Sequence, residues 1–291
     1  MLSKKEKSAK LMHKIVTAFK CPICDQAIQV VNLRNVVCTN NHTFDIAKQG
    51  YINFMMRPVT NNYGKKLFEA RHKVITEIKL YSPLHKEITN IIKQHQNVSA
   101  TPFLLADLGC GEGSHLHSIM EYLRNFNVTG VGLDISKEGV LIAARNYTDP
   151  IWFVGDLAKS PLSDHSFHFI LNILSPANYT EFKRILTHNG LIIKVVPRSG
   201  YLKELREALF ANESIKAYQN DHTASLFKEH FQPITTKRVE HTQVLQKDEL
   251  THLVQMTPLT WSADQQKIDS FIDQDFAEIT VDLDVLVGKR K

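Results

Sequence analysis

From residue 103 onward, short apolar runs alternate with stretches whose apolar residues recur every three or four positions. "FLLADLGCGEG" is a buried strand that ends in a glycine turn, and "SHLHSIMEYLRNF" has helical spacing. "VTGVGLDIS", "IWFVGDL", "FHFILNILSP" and "LIIKVVP" predict further strands. "KEGVLIAARNY" and "YTEFKRILTHNG", the latter running to Gly190, predict the helices between them. Strand and helix in alternation predict a parallel sheet with helices on both faces. Residues 201–231 read as mostly helical, and "PITTKRVEHTQVL" and "AEITVDLDVLVGKRK" as a closing pair of strands.

The first hundred residues have a different pattern. "AIQVVNLRNVVC" predicts a short hairpin, and "FDIAKQGYINFM" is mixed in period. "RPVTNNYGKK" (57–66) is polar and turn-rich, as expected of a linker. The helical spacing in "LFEARHKVITEIKLYSPLHKEITNIIKQH" is interrupted near Ser82-Pro83, which predicts two helices.

Composition narrows the class. The 291 residues are 43% hydrophobic, enough for a full core, yet no run approaches the roughly 20 apolar residues that span a bilayer. The lysine-bearing N-terminus lacks the apolar stretch of a secretory signal. Four cysteines in a chain this long do not form a disulfide framework, so the reducing cytoplasm is the expected compartment. Residues 1–80 hold 14 Lys/Arg against 5 Asp/Glu, a local excess that suits an anionic partner or a solvated basic face.

Three of the four cysteines lie in "CPICDQAIQVVNLRNVVCTNNH". The spacing is C-x2-C-x13-C-x3-H, with Cys21, Cys24, Cys38 and His42 as donors. Two tight turns that each present two N/S ligands make the closed tetrahedral shell of structural zinc. With no position open for water, such a metal holds a small domain together rather than doing chemistry.

"DLGCGEG" carries Asp107, Gly109, Gly111, Glu112 and Gly113 at the carboxyl end of the first core strand. Glycines there let a ligand approach the backbone. Asp134 ends the next strand, where a carboxylate accepts ribose hydroxyls, and Asp156 ends the third, near an adenine edge. An acid ahead of the glycines departs from dinucleotide sites and resembles the first motif of Rossmann-like S-adenosylmethionine methyltransferases. Cys110 reads as a packing residue. "NILSPAN" ends the fourth strand where an acceptor would meet the methyl group, so Asn172, Ser175 and Asn178 are candidates to bond it, or else to cap the loop.

Taken together, "CPIC…C…NHTFDIAKQGYINF", "DLGCGEG", "LDIS", "ILSPAN" and "QMTPLTW" resemble the bacterial 23S rRNA guanine-N1 methyltransferases. The resemblance covers nearly the whole chain after about residue 18. It implies an α/β, Rossmann-like class I methyltransferase with a small N-terminal zinc-binding domain. It also implies S-adenosylmethionine as cofactor, structural zinc, and transfer to guanine N1 in a hairpin loop of 23S rRNA. It adds cofactor contacts at Tyr81, at His115 and Leu116 after the glycine loop, and at Tyr201, where the family pattern also carries histidine. The implied division is a basic extension (1–18), a zinc-binding RNA-recognition domain (19–60), a helical linker (61–100) and the methyltransferase domain (101–291). No membrane partner is expected, and homodimerisation is left open. The competing classes are a small-molecule methyltransferase acting on a quinone or lipid, and a non-catalytic zinc RNA-binding protein.

Overall fold

The computed structural model describes residues 2–57, 63–95, 102–210 and 221–291. Half of the expected linker at 57–66 (58–62), and part of the helical stretch at 201–231, lie outside these residues.

The chain opens with helix α1 (Lys4–Lys14), started by a capping box between Ser3 and Glu6. Strands β1 (Ile28–Val31), β2 (Asn35–Cys38) and β3 (Thr43–Asp45) form an antiparallel meander, the expected hairpin plus one strand. β4 (Tyr51–Asn53) then leaves that meander. Helices α2 (Lys65–Thr76) and α3 (Ser82–His95) are separated where the sequence is interrupted.

The core alternates as expected: β5 (Phe103–Leu108), α4 (Ser114–Tyr122), β6 (Val128–Asp134), α5 (Lys137–Asn146), β7 (Ile151–Val154), β8 (Phe167–Ile173), α6 (Tyr179–Ile185) and β9 (Leu186–Pro197). Then follow α7 (Lys203–Phe210), α8 (Asp221–His230), β10 (Phe231–Gln246), α9 (Lys247–Met256), α10 (Gln265–Ile272) and β11 (Phe276–Arg290). The sheet order is β10-β11-β9-β8-β5-β6-β7-β4, parallel from β9 to β4, with β10 and β11 antiparallel at the far edge. The chain fills one side of β5 first and then the other, so the crevice between β5 and β8 is a topological switch point. Open sheets of this kind bind ligands there.

The helix expected to run to Gly190 stops at Ile185. Thr187, Asn189 and Gly190 are poor helix formers, and Leu186 is fully buried with its backbone paired to Phe167 of β8. Two helices, α9 and α10, separate the closing strands, and they carry the "QMTPLTW" segment to the ligand side.

The N-terminal module and the sheet share one apolar cluster. Phe19, Phe44, Phe54 and Phe153 form a chain of edge-on ring contacts 4.8–5.1 Å apart, and Met12, Ile52, Ile151 and Leu162 are fully buried beside them. β4 also pairs in parallel with β7, Tyr51 opposite Trp152. The expected boundary near residue 60 is therefore not a boundary of the core. The basic extension is folded too: α1 buries Ser8, Ala9 and Met12, and Lys4 Nζ donates to the Arg145 carbonyl of α5.

Candidate metal centre and cofactor cleft

At the N-terminus two left-handed turns, at Asp25 and Asn41, bring the two donor pairs together. Asp and Asn tolerate that conformation better than most residues. The donor atoms of Cys21, Cys24, Cys38 and His42 all lie within 4.8 Å of one another. Cys24 and Cys38 sulfurs are 3.7 Å apart, and His42 Nδ1 is 3.6 Å from Cys21 and 3.4 Å from Cys38. A tetrahedral zinc with bonds of about 2.3 Å sets its sulfur ligands about 3.8 Å apart, so these donors fit the ion. The His42 backbone N–H also donates to the Cys38 sulfur at 3.3 Å, which favours a thiolate. Burial pushes the Cys21 thiol up to about 11, whereas the backbone hydrogen bond at Gln26 brings Cys24 down to about 7.

The glycine turn follows β5. Gly109, Gly111 and Gly113 all adopt positive φ. Two of them have no space for a side chain. A Cβ on Gly109 would lie 2.0 Å from Ser175 Oγ, and one on Gly113 would lie 2.4 Å from the Trp152 ring. Asp134 ties the turn in place: its carboxylate accepts from Gly111 N at 2.8 Å and from Ser136 N at 2.7 Å. Burial nevertheless raises its pKa above the usual carboxylate range.

Beside this turn is a cavity of about 330 Å³, lined in part by Phe68, Arg71, Gly109, Asp134, Ile135 and Asp156. It is of the size usual for small-ligand pockets. A larger cleft of about 900 Å³ shares Arg71, Ser175 and Met256 with it and extends to Tyr81, Lys194 and Tyr201. Arg71 stands between the two, its Nε 2.9 Å from the fully buried Glu112. Asp107 is 1% exposed, its Oδ1 has no hydrogen-bond partner among the described residues, and burial raises it to about 7 against the pull of Arg71. A buried carboxyl left unpaired suits a cationic group of a ligand. Carboxylate, backbone loop, apolar wall and cation together fit a nucleoside joined to an amino acid.

The expected site residues divide by position. Gly109, Gly111, Asp134 and Asp156 line the smaller cavity; Tyr81 and Tyr201 line the larger cleft, their hydroxyls 2.6 Å apart. His115 and Leu116 face inward instead. His115 is 2% exposed, hydrogen-bonded to His85 at 2.7 Å and packed against the Tyr81 ring, and Leu116 belongs to the core. Both rings avoid charge, burial holding His85 down at about 4. Cys110 is buried, as a packing residue should be.

Of the acceptor-loop candidates, Ser175 faces both cavities. Asn172 is fully buried and donates to the Leu108 and Pro176 carbonyls, so it clamps the loop to β5. Asn178 caps α6 by accepting from Glu181 N. Leu174, between them, is held at φ 51°, an uncommon conformation for a branched side chain. Arg71 and Lys194 were not among the expected residues. Lys194 had a sequence signal, a lone charge inside "LIIKVVP"; Arg71 had none beyond an ordinary amphipathic helix.

Fold and site define a Rossmann-like, S-adenosylmethionine-dependent methyltransferase carrying an N-terminal zinc ribbon. Residues 19–65 match a zinc-ribbon family described as "RlmA, N-terminal", and residues 105–190 match the family described as "Methyltransferase domain". YxjB of Bacillus subtilis (strain 168), named for 23S rRNA guanine-N1 methylation, is 38% identical over 94% of this chain and 97% of its own. The 23S rRNA (guanine(748)-N(1))-methyltransferase of Streptomyces fradiae is 29% identical over 87% of this chain and 89% of its own. The crystal structure of the PH0226 protein of Pyrococcus horikoshii OT3 is similar at 15% identity and a TM-score of 0.48, over 74% of this chain and 91% of that one. The chain belongs to the 23S rRNA (guanine-N1)-methyltransferase family.

Asp134 provides a direct test of the cleft. Asp134→Ala removes the acceptor for two backbone N–H groups as well as any bond to a ribose. A hydrogen bond to a charged group contributes about 1.5–3 kcal/mol, so S-adenosylmethionine affinity should fall at least about tenfold. Titration calorimetry reads the loss, and unchanged affinity would mean that the cofactor binds elsewhere.

Proposed function

We propose that this protein transfers a methyl group from S-adenosylmethionine to N1 of one guanine in a hairpin loop of 23S rRNA. The observation that carries the reading is the likeness to a relative named for that reaction over 94% of this chain, ribbon and methyltransferase core together. When bound, the cofactor supplies a methyl already activated by its sulfonium. The protein's task is then to align acceptor and donor in line.

Asp134 and the glycine turn hold the nucleoside, Asp156 faces the adenine edge, and Arg71 and Asp107 answer the charges of the amino-acid end. Cys21, Cys24, Cys38 and His42 hold the zinc. Acceptor entry is by the larger cleft, whose walls include Leu174, Pro176, Met256, Pro258 and Leu259. Apolar walls of this kind suit an unstacked base, and a paired guanine would hide N1. The basic residues of the N-terminal module, among them the exposed Lys7, Lys10, Lys14, Arg34 and Lys48, suit the phosphates around the loop. Among the described residues no helix is long and apolar enough to cross a membrane.

The test is to incubate the purified protein with 23S rRNA and labelled cofactor, then to identify the modified nucleoside and its position by mass mapping. N1-methylguanosine at a single loop position is the expected product. Label in a quinone or lipid fraction, with none in RNA, would favour the small-molecule enzyme.

A further inference from the structure

Lys194 has no part in the reading above, yet its surroundings are unusual. It lies on β9 in register with Asn172 of β8, is 4% exposed and borders the acceptor cleft. Its Nζ donates to Asn172 Oδ1 and to the Ser175 carbonyl, each at 2.5 Å. Both partners are neutral, and among the described residues Lys194 makes no ion pair. Of the other cations at the cleft, Arg71 pairs with Glu112, and Arg206, which donates to the Ser199 carbonyl, is only half-buried. An ammonium has three donors, and the two bonds named use two of them. A buried cation without a counter-ion is costly unless a ligand supplies negative charge.

Guanine N1 ionisation supplies such a charge. The N1–H is conjugated with the C6 carbonyl, so removing the proton spreads the negative charge onto O6. Resting on the guanine-N1 reading, we propose that Lys194 is a catalytic residue whose ammonium donates to O6 of the target guanine and stabilises the charge that develops as N1 ionises. N1 releases its proton to solvent water in the cleft. Its electron pair then bonds the methyl carbon, while the carbon–sulfur pair returns to sulfur. The products are N1-methylguanine, S-adenosylhomocysteine and a proton. Asn172 and the Ser175 carbonyl are positioning groups that aim the ammonium. Burial has already moved Lys194 down to about 8, so the charged form prevails at neutral pH and is lost as pH rises through that value.

The test uses Lys194→Gln, which keeps an N–H donor for Asn172 and Ser175 but removes the charge. kcat for 23S rRNA should fall about 10²–10³-fold, the usual loss for one electrostatic donor, with thermal melting and S-adenosylmethionine affinity unchanged. The deficit should shrink as pH is raised through about 8, because the wild type loses its charge there while N1 ionises more readily unaided. Lys194→Arg, which keeps a charge, should remain faster than the Gln variant. A Gln variant at wild-type rate would overturn the inference. So would a deficit equal at every pH, which marks a merely structural lysine, or a tenfold loss of cofactor affinity, which assigns the charge to the cofactor carboxylate. Failure of the wild type itself to form N1-methylguanosine in the same assay would overturn the guanine-N1 reading as well.

Discussion

Cys38→Ala will strip the zinc and destabilise the whole chain, not the ribbon alone. Metal content should fall from about one zinc per chain to near none, because three remaining donors leave the tetrahedral shell open. Structural zinc contributes about 10–16 kcal/mol to the folding of small peptides, so even a third to a half of that is about 5 kcal/mol. For a chain of this size, such a loss lowers Tm by about 8 °C. Position decides how far the damage spreads. Cys38 ends β2, and the aromatic contacts from Phe44 and Phe54 lead directly to Phe153 on the central sheet. Melting the ribbon would expose that face, together with Ile151 and Leu162, and remove the support of β4 at the edge of β7. Scanning calorimetry with metal analysis checks this. A separate low-temperature transition, with the main one unmoved, would show instead that ribbon and sheet fold independently. For the same reason, deleting residues 1–60 is a poor test of RNA recognition, since it also uncovers the core.

Arg71→Ala should be the most damaging single change on the helical side of the cleft. Arg71 faces Glu112 at 2.9 Å, and Glu112 is fully buried. Breaking a buried pair by removing one partner costs about 3–5 kcal/mol, since the remaining charge is stranded. Burial already raises the Glu112 pKa, with Arg71 opposing it. Without the arginine, Glu112 will take up a proton on folding. A folded pKa raised above the unfolded one gives stability at low pH that is lost as pH rises, so the variant should be least stable, relative to wild type, at neutral pH and above. Denaturant unfolding at several pH values reads this. Adding Glu112→Gln should recover much of the stability but not the cofactor affinity, because Arg71 also borders both cavities. A double variant as unstable as Arg71→Ala would show that the helix packing, and not the ion pair, is what the arginine supplies.

Much of the architecture is decided locally and is therefore legible in the chain. Two tight turns carrying C-x2-C and C-x3-H present donors whatever surrounds them, because the spacing alone sets the geometry. The acid–glycine turn after an apolar strand and the aspartate at the end of the next are likewise properties of a few residues and of the alternation around them. Tertiary structure decided what depends on distant partners. "GYINF" is too short to specify a strand, and β4 exists because Tyr51–Asn53 pairs with Trp152–Val154, about a hundred residues on. Asn172 reads as a polar residue near an acceptor, but the carbonyls it holds come from Leu108 and Pro176. His115 follows the glycine motif, yet the helical twist of α4 turns it toward His85 and away from the cavity. Arg71 gains its place between two cavities only when α2 packs over the glycine turn, and Lys194 its isolation only when β9 lies beside β8. Sequence spacing determines which groups a single turn or strand end can present; which of them face the ligand, and which buried charge is left without a partner, is settled only by packing between elements far apart in the chain.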